Sequence, residues 1–299
     1  MTERTHYAGW PNCYRLSNGT VELVVTADVG PRIIRCGFVG GRNLFAEFPD
    51  QLGKSGEPYW MPRGGHRLWI APELVPDTYA LDNSPVDVRL SGETITLVQP
   101  VEPGTGLQKE LSIELTGEAE VRVVHRVKNC GTKPKRFAPW ALTQMAPGGV
   151  GVAAFPPRGH HHDRLLPTNP LAMWFYTDFS DKRWRLTRQY LILRQEAANH
   201  SPQKAGLFNP DTFAAYLLGT DLFAKRTQAN PQAIYPDFHC SCELFTNGDF
   251  LELETLGPLT DVAPGDSVTH VEDWFLRRNV QLDGFTDEGL DAAFNALRI

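Results

Sequence analysis

Phe250-Leu-Glu-Leu-Glu-Thr-Leu-Gly-Pro258 leads, through Val262-Ala-Pro-Gly-Asp-Ser267, into Val268-Thr-His-Val-Glu-Asp-Trp-Phe-Leu276. Residues two apart in a strand share a face. The first segment therefore reads as a strand with Glu252 and Glu254 side by side and Leu251, Leu253 and Thr255 opposite. A turn at Pro264-Gly265-Asp266 then predicts a returning strand with Val268, His270, Glu272 and Trp274 on one side, the two forming a hairpin. Paired acids of this kind either look into a cleft, where they bind sugar hydroxyls or act as a general base, or form the solvated face of an edge hairpin. Alternation alone leaves both open.

The same period-two text runs outward from this stretch. Val21 to Thr26, Arg32 to Phe38, Val86 to Leu90, Thr94 to Gln99, Leu107 to Leu115 and Glu120 to Lys128 read as short strands, broken by Gly30-Pro31, Gly40-Gly41 and other turn residues. In the last of these Val121, Val123 and His125 alternate with Arg122, Val124 and Arg126. The pattern resumes at Leu191 to Leu193, Thr212 to Leu218 and Leu222 to Arg226. Only Asp287 to Leu297 reads as helix, with Leu290, Phe294 and Leu297 at helical spacing. Turns every eight to twelve residues predict a sandwich or barrel rather than alternating strands and helices. No fixed-period repeat and no linker divides the text, so the expectation is an all-β protein, one domain over residues 1–299, with a short C-terminal helix.

Composition narrows the function. The chain has 299 residues, 21% of them charged, and a net charge of −6 with Lys and Arg scattered. That leaves no basic stripe to neutralise phosphates, so nucleic acid is not an expected partner. There is no phosphate loop with its lysine, no nucleophile elbow and no dinucleotide fingerprint, which removes support for NTP hydrolysis and hydride transfer. Cys13, Cys36, Cys130, Cys240 and Cys242 form no disulfide framework and fit a reducing compartment. Met1-Thr-Glu-Arg-Thr-His6 has no apolar leader, and no run is long enough to cross a bilayer, so a cytoplasmic protein without a membrane partner is expected.

Arg63-Gly-Gly-His-Arg-Leu-Trp-Ile-Ala-Pro-Glu73 mixes the groups a ligand pocket needs. His66 can exchange hydrogen bonds with a hydroxyl, Arg67 can fork onto a carboxylate or ring oxygen, and Trp69 can stack on the apolar face of a sugar. The structural alternative has His66 satisfied by backbone and Arg67 paired with Glu73. His160-His161-His162-Asp163 could place two imidazoles on one side, but with no spaced partner pair elsewhere it reads as a surface or cleft loop, and no metal is expected. His125, amid valines, reads as core or cleft lining. Between Asp237 and Glu243 the odd-numbered residues, including His239, would share one strand face near the acidic pair. Lys204 reads as a solvated loop lysine.

The segments Val29-Gly-Pro-Arg-Ile33 with Gly40-Gly-Arg-Asn-Leu44, Gly64-Gly-His-Arg-Leu-Trp69, and Leu251-Glu-Leu-Glu-Thr255 leading to Ala263-Pro-Gly-Asp266 resemble, in that order, the aldose 1-epimerase (galactose mutarotase-like) superfamily, in a divergent bacterial branch. The resemblance implies a β-supersandwich of antiparallel sheets, a small-molecule carbohydrate as ligand, no cofactor, and anomer interconversion in which a glutamate takes the C1 hydroxyl proton and a histidine protonates the ring oxygen. Glu254 matches the base best, with Glu252 its rival. The family's principal histidine falls near Trp140, whose indole donates a hydrogen bond but cannot shuttle a proton near neutral pH, so His66 is expected to serve as acid, with His125 and the His160 to His162 loop as further candidates. Arg67, Trp69, Glu252, His125, Trp140, Asp237 and His239 are the expected substrate-binding residues. The alternative is a non-catalytic carbohydrate-binding or accessory module that has lost the acid.

Overall fold

Alternating apolar positions are satisfied when each strand finds neighbours on both edges and a second sheet beneath. The computed structural model describes residues 1–282 and 284–295 and realises this with two large antiparallel sheets. One has the order β1 (Thr2–Tyr7), β2 (Trp10–Ser17), β3 (Val21–Thr26), β4 (Arg32–Phe38), β5 (Gly65–Ala71), β10 (Lys135–Met145), β19 (Leu251–Leu256), β18 (Cys242–Thr246), β15 (Gln203–Leu207) and β12 (Leu171–Met173), with β20 (Thr260–Val262) beside one half of β10. The other runs β13 (Trp184–Leu186), β14 (Tyr190–Arg194), β11 (Val150–Ala154), β16 (Asp211–Leu218), β17 (Asp221–Gln228), β21 (Ser267–Arg277), β9 (Glu120–Asn129), β8 (Leu107–Gly117), β7 (Thr94–Val98) and β6 (Asp87–Ser91). A helix covers Asp287–Asn295 and buries Leu290 and Phe294; Leu297, expected on the same face, lies outside the described residues.

The inner faces close on one apolar core: Leu23, Val25, Leu68, Ile70, Leu251 and Leu253 from the larger sheet meet Leu111, Ile113, Val121, Val123, Tyr216 and Trp274 from the smaller. The expected hairpin between Leu251 and Leu276 is not one. β19 pairs with β10 and β18, whereas β21 pairs with β9 and β17 in the opposite sheet. Every residue of β19 is buried, so it needs a strand on each edge. The chain after it crosses from one sheet to the other through β20. The within-strand alternation is as the sequence implied: His270, Glu272 and Trp274 all face inward.

Between the sheets lies a polar cluster sealed from water. His125 Nδ1 is 2.9 Å from the His270 carbonyl, to which it must donate, leaving its Nε2 to accept from His66 Nε2 at 2.7 Å. His66 Nδ1 then accepts from Thr143 Oγ1 at 2.8 Å. Glu272 takes Lys225 Nζ at 2.8 Å and Trp274 Nε1 at 2.8 Å, and Thr255 joins it to His270. All three imidazoles are neutral in this arrangement. Burial, opposed in part by Glu272, pushes each below the ordinary value of 6.5, His270 to about 3. Burial works against the Glu272 carboxylate, but the Lys225 ammonium outweighs it and holds Glu272 below the usual range.

Two outcomes follow from this architecture. Gly65, at φ +72°, lets β5 enter between its neighbours, and a Cβ there would stand 2.2 Å from the Ile33 carbonyl oxygen; Gly65→Ala is expected to lower unfolding free energy by about 3 kcal/mol, read from urea titration. Below pH 6.5 the unfolded chain takes up imidazole protons that the fold refuses. Stability should therefore fall with pH, by up to about 1.4 kcal/mol per pH unit for each imidazole kept neutral. A urea midpoint unchanged between pH 7.5 and 5 would show that the cluster charges within the fold.

Candidate functional site

On the outer face of the larger sheet, cross-strand register lines up side chains from five strands. Arg67 is opposite Leu142, Leu142 opposite Glu254, Glu254 opposite Glu243, and Glu243 opposite Gly206. The adjacent row runs Gln144, Glu252, Phe245 and Lys204, and on the other side Trp69 is opposite Trp140 and Trp140 opposite Leu256. Strand pleating alone thus gathers two bases and three glutamates onto one surface. Gly206 keeps the row open: a Cβ there would come within 2.6 Å of Cys240 Sγ and 3.1 Å of Glu243 Cγ.

The charges pair diagonally between the rows. Lys204 Nζ lies 2.8 Å from Glu243 Oε2 and 2.9 Å from Glu254 Oε2, and Trp140 Nε1 donates to the same Glu254 oxygen at 2.9 Å. Arg67 Nη2 donates to Glu252 Oε1 at 3.0 Å. Aromatic rings enclose both cations. The Arg67 guanidinium stands 4.2 Å from the Trp69 ring and 5.3 Å from Trp60, while Lys204 Nζ is 4.7 Å from both Trp140 and Trp174. Trp60, Tyr79, Trp174 and Tyr176, all on loops, roof the face, with Trp60 and Tyr79 packed on Trp69 at 4.8 and 4.9 Å.

Burial sets the protonation of these groups. It opposes charge on Lys204, but Glu243 and Glu254 more than compensate and hold the ammonium well above the ordinary lysine value. Glu243 is pushed well above the carboxylate range by burial, against Lys204 and with the help of Glu254 and Asp237. Glu252 is raised by burial, against Arg67. Several buried polar atoms on this face have no protein partner: Glu254 Oε1, Glu243 Oε1, Gln144 Oε1, Arg67 Nε and Nη1, and Trp60 Nε1. Such groups are costly to leave unpaired.

Of the residues expected from sequence, Glu252, Glu254, Arg67, Trp69 and Trp140 meet here. Arg67 pairs with Glu252 rather than Glu73, which is exposed and accepts from Tyr79. His66 and His125 are on the far side of the sheet, in the inter-sheet cluster, because β5 alternates and His66 is one residue from Arg67. The structure does not bring His66 to Glu254. Asp237 and His239 are not on a strand. They form a left-handed turn in which Asp237, Phe238 and His239 have φ of +52°, +58° and +75°, a conformation non-glycine residues adopt rarely and at a cost. The turn sets the Asp237 carboxyl against Glu243 and leaves Phe238 exposed, while His239 stacks on Phe208 at 4.5 Å. Lys204, read as solvated, is instead buried on β15. Its flanks, Ser201-Pro-Gln and Gly206, hide the strand from a pattern search, and its partners are distant in sequence.

His160, His161, His162 and Asp163 are exposed. Among the described residues one group, His66, His125 and Glu272, brings three ligand atoms within 4.8 Å of one another. The 2.7 Å between the two imidazole nitrogens is that of a hydrogen bond, both Glu272 oxygens already accept, and Lys225 supplies the positive charge. These residues fit a proton network rather than a tetrahedral ion.

No helix among the described residues is long and apolar enough to cross a membrane. No family model matches the sequence, and no curated protein matches it. Solved structures do. A protein from Synechocystis sp. PCC 6803 aligns with a TM-score of 0.60 at 13% identity, over 92% of this chain and 99% of its own. A galactose mutarotase-like protein from Lactobacillus casei aligns at 0.59 and 11% identity, over 89% and 100%, and another from Clostridium acetobutylicum at 0.54 and 12%, over 93% and 98%. At these identities the likeness is one of architecture, and the two antiparallel sheets of this chain are a divergent form of the galactose mutarotase-like fold.

Proposed function

We propose that the outer face of the larger sheet binds a carbohydrate and opens its pyranose ring, with Glu254 as the general base. The observation that carries this reading is the set of buried polar atoms without protein partners beside four tryptophans. Glu254 Oε1, Glu243 Oε1 and Gln144 Oε1 can accept, while Arg67 Nε and Nη1 and Trp60 Nε1 donate. A sugar hydroxyl both donates and accepts, so a polyol completes both sets at once. The indoles offer flat apolar surface to the C–H faces of its ring. Glu254 suits the base because its Oε2 is anchored by Lys204 and Trp140 while its Oε1 is free to take a proton. The chemistry requires proton transfer alone. Trp60, Tyr79, Trp174 and Tyr176 must part for a sugar to enter, and their place on loops allows it.

A second reading, binding without catalysis, is favoured by Trp140 at the position where the resemblance expects a histidine and by the separation of His66 from Glu254. The two are told apart with a panel of free hexoses and hexuronic acids, using saturation-transfer NMR for binding and polarimetry for anomer exchange. At least one sugar is expected to bind and to equilibrate faster than in buffer, and Glu254→Gln should remove about a hundredfold or more of that acceleration while leaving binding in place. Binding without acceleration would select the second reading. An absence of binding across the panel would remove both.

A further inference from the structure

We infer that the acid of this site is Glu243, the cross-strand partner of Glu254, in place of a histidine. The inference rests on the ring-opening reading above. Ring opening needs a base at the C1 hydroxyl and an acid at the ring oxygen, two atoms bonded to the same carbon, so the two groups must stand side by side. Directly opposed residues on neighbouring antiparallel strands have Cβ atoms about 5 Å apart, and Glu243 and Glu254 are such a pair, both reaching the same lysine nitrogen. His66, by contrast, is behind the sheet.

The arrangement of charge decides which carboxyl keeps a proton. Among the described residues Lys204 is the one ammonium in contact with both, and in a buried site it balances one carboxylate. Trp140 Nε1 adds a second N–H to Glu254, which makes Glu254 the better anion. Glu243 receives no such donor, and Asp237 sits against it. Its upward displacement, caused first by burial, agrees with that assignment. Lys204, held well above its ordinary value, stays charged and is not the acid.

The step balances without a co-reactant. Glu254 takes the proton of the C1 hydroxyl, the C1–O1 bond becomes a carbonyl, and the bond from C1 to the ring oxygen breaks. The electron pair stays on the ring oxygen, which takes the proton of Glu243. After rotation about C1–C2 the new hydroxyl adds to the other face of the aldehyde, returning its proton to Glu243, while the carbonyl oxygen recovers the proton held by Glu254. Both carboxyls end as they began.

The test is the pH dependence of anomer exchange, followed by polarimetry with the sugar that binds best. The wild-type rate should fall on the alkaline side as Glu243 ionises, with that limb above the ordinary carboxylate range. Glu243→Gln keeps the shape and a hydrogen bond but has no proton to give. It should lower kcat by about a hundredfold or more, leave KM within a few-fold, and abolish the alkaline limb. Should that variant fail to fold, Asp237→Asn removes the neighbouring negative charge at a half-buried turn residue and should move the alkaline limb to lower pH. Full activity in Glu243→Gln, or an alkaline limb that neither substitution moves, would overturn the assignment. So would wild-type protein that binds a sugar without accelerating exchange, an outcome that leaves carbohydrate binding intact.

Discussion

Lys204 is held 2.8 and 2.9 Å from two glutamates in a place where all three are buried. A charge out of water must be compensated where it sits, and this requirement fixes the relative positions of β15, β18 and β19, whose register puts Lys204, Glu243 and Glu254 within reach of one another. Removing one partner leaves the others uncompensated, so the outer face is specified as tightly as the apolar core beneath it. The same constraint acts on the inner face, where Lys225 and Glu272 balance each other among neutral imidazoles. The central strands of the larger sheet thus carry polar networks on both sides: Arg67 and His66 on β5, Trp140 and Thr143 on β10, Glu254 and Thr255 on β19. One residue of slip in any of these strands would exchange the two networks.

The left-handed turn at Asp237 to His239 illustrates a local conflict settled by the site. Three successive side-chain-bearing residues in that conformation are unfavourable, and Cys240 N to Pro236 O is the backbone bond that closes the turn. The packing of His239 between Phe208 and Tyr235 offsets the strain. What the turn gains is the placement of Asp237 beside Glu243.

Much of this was legible in the sequence. Period-two text gives β3, β4, β8 and β9 almost residue for residue, because those strands alternate cleanly or are mostly apolar and bounded by turn residues, and it puts Glu252 and Glu254 on one face. Arg67, Trp69 and Trp140 were singled out from their chemistry and their segments, and they share that face. What alternation cannot say is which sheet a strand joins. Leu251 to Leu256 and Val268 to Leu276 read as a hairpin because a turn signal separates them, yet both strands need partners on each edge and find them in different sheets. The same limit placed His66 beside Glu254. Adjacent residues on a strand face opposite ways, so once Arg67 was given to the cleft, His66 belonged to the core, and the strand reading alone contained that information. Lys204 was missed, and Glu243 was placed near the acidic pair without being matched to Glu254, for another reason: their significance lies in each other and in Glu254, fifty residues away or eleven, and nothing local marks it.

The residues of the outer face come from positions 67, 140, 204, 243 and 254, on five strands of which β18 and β19 form a local hairpin while the other three come beside it only when the larger sheet assembles. Pairings of such long sequence separation form late, since each requires closing a large loop before any contact is made. No hairpin or contiguous fragment of this chain contains even the lysine and both of its glutamates as a local unit. The site is therefore assembled all at once with the sheet, and a partly folded chain would display buried-type charges with no partners, open to water and to the wrong strands.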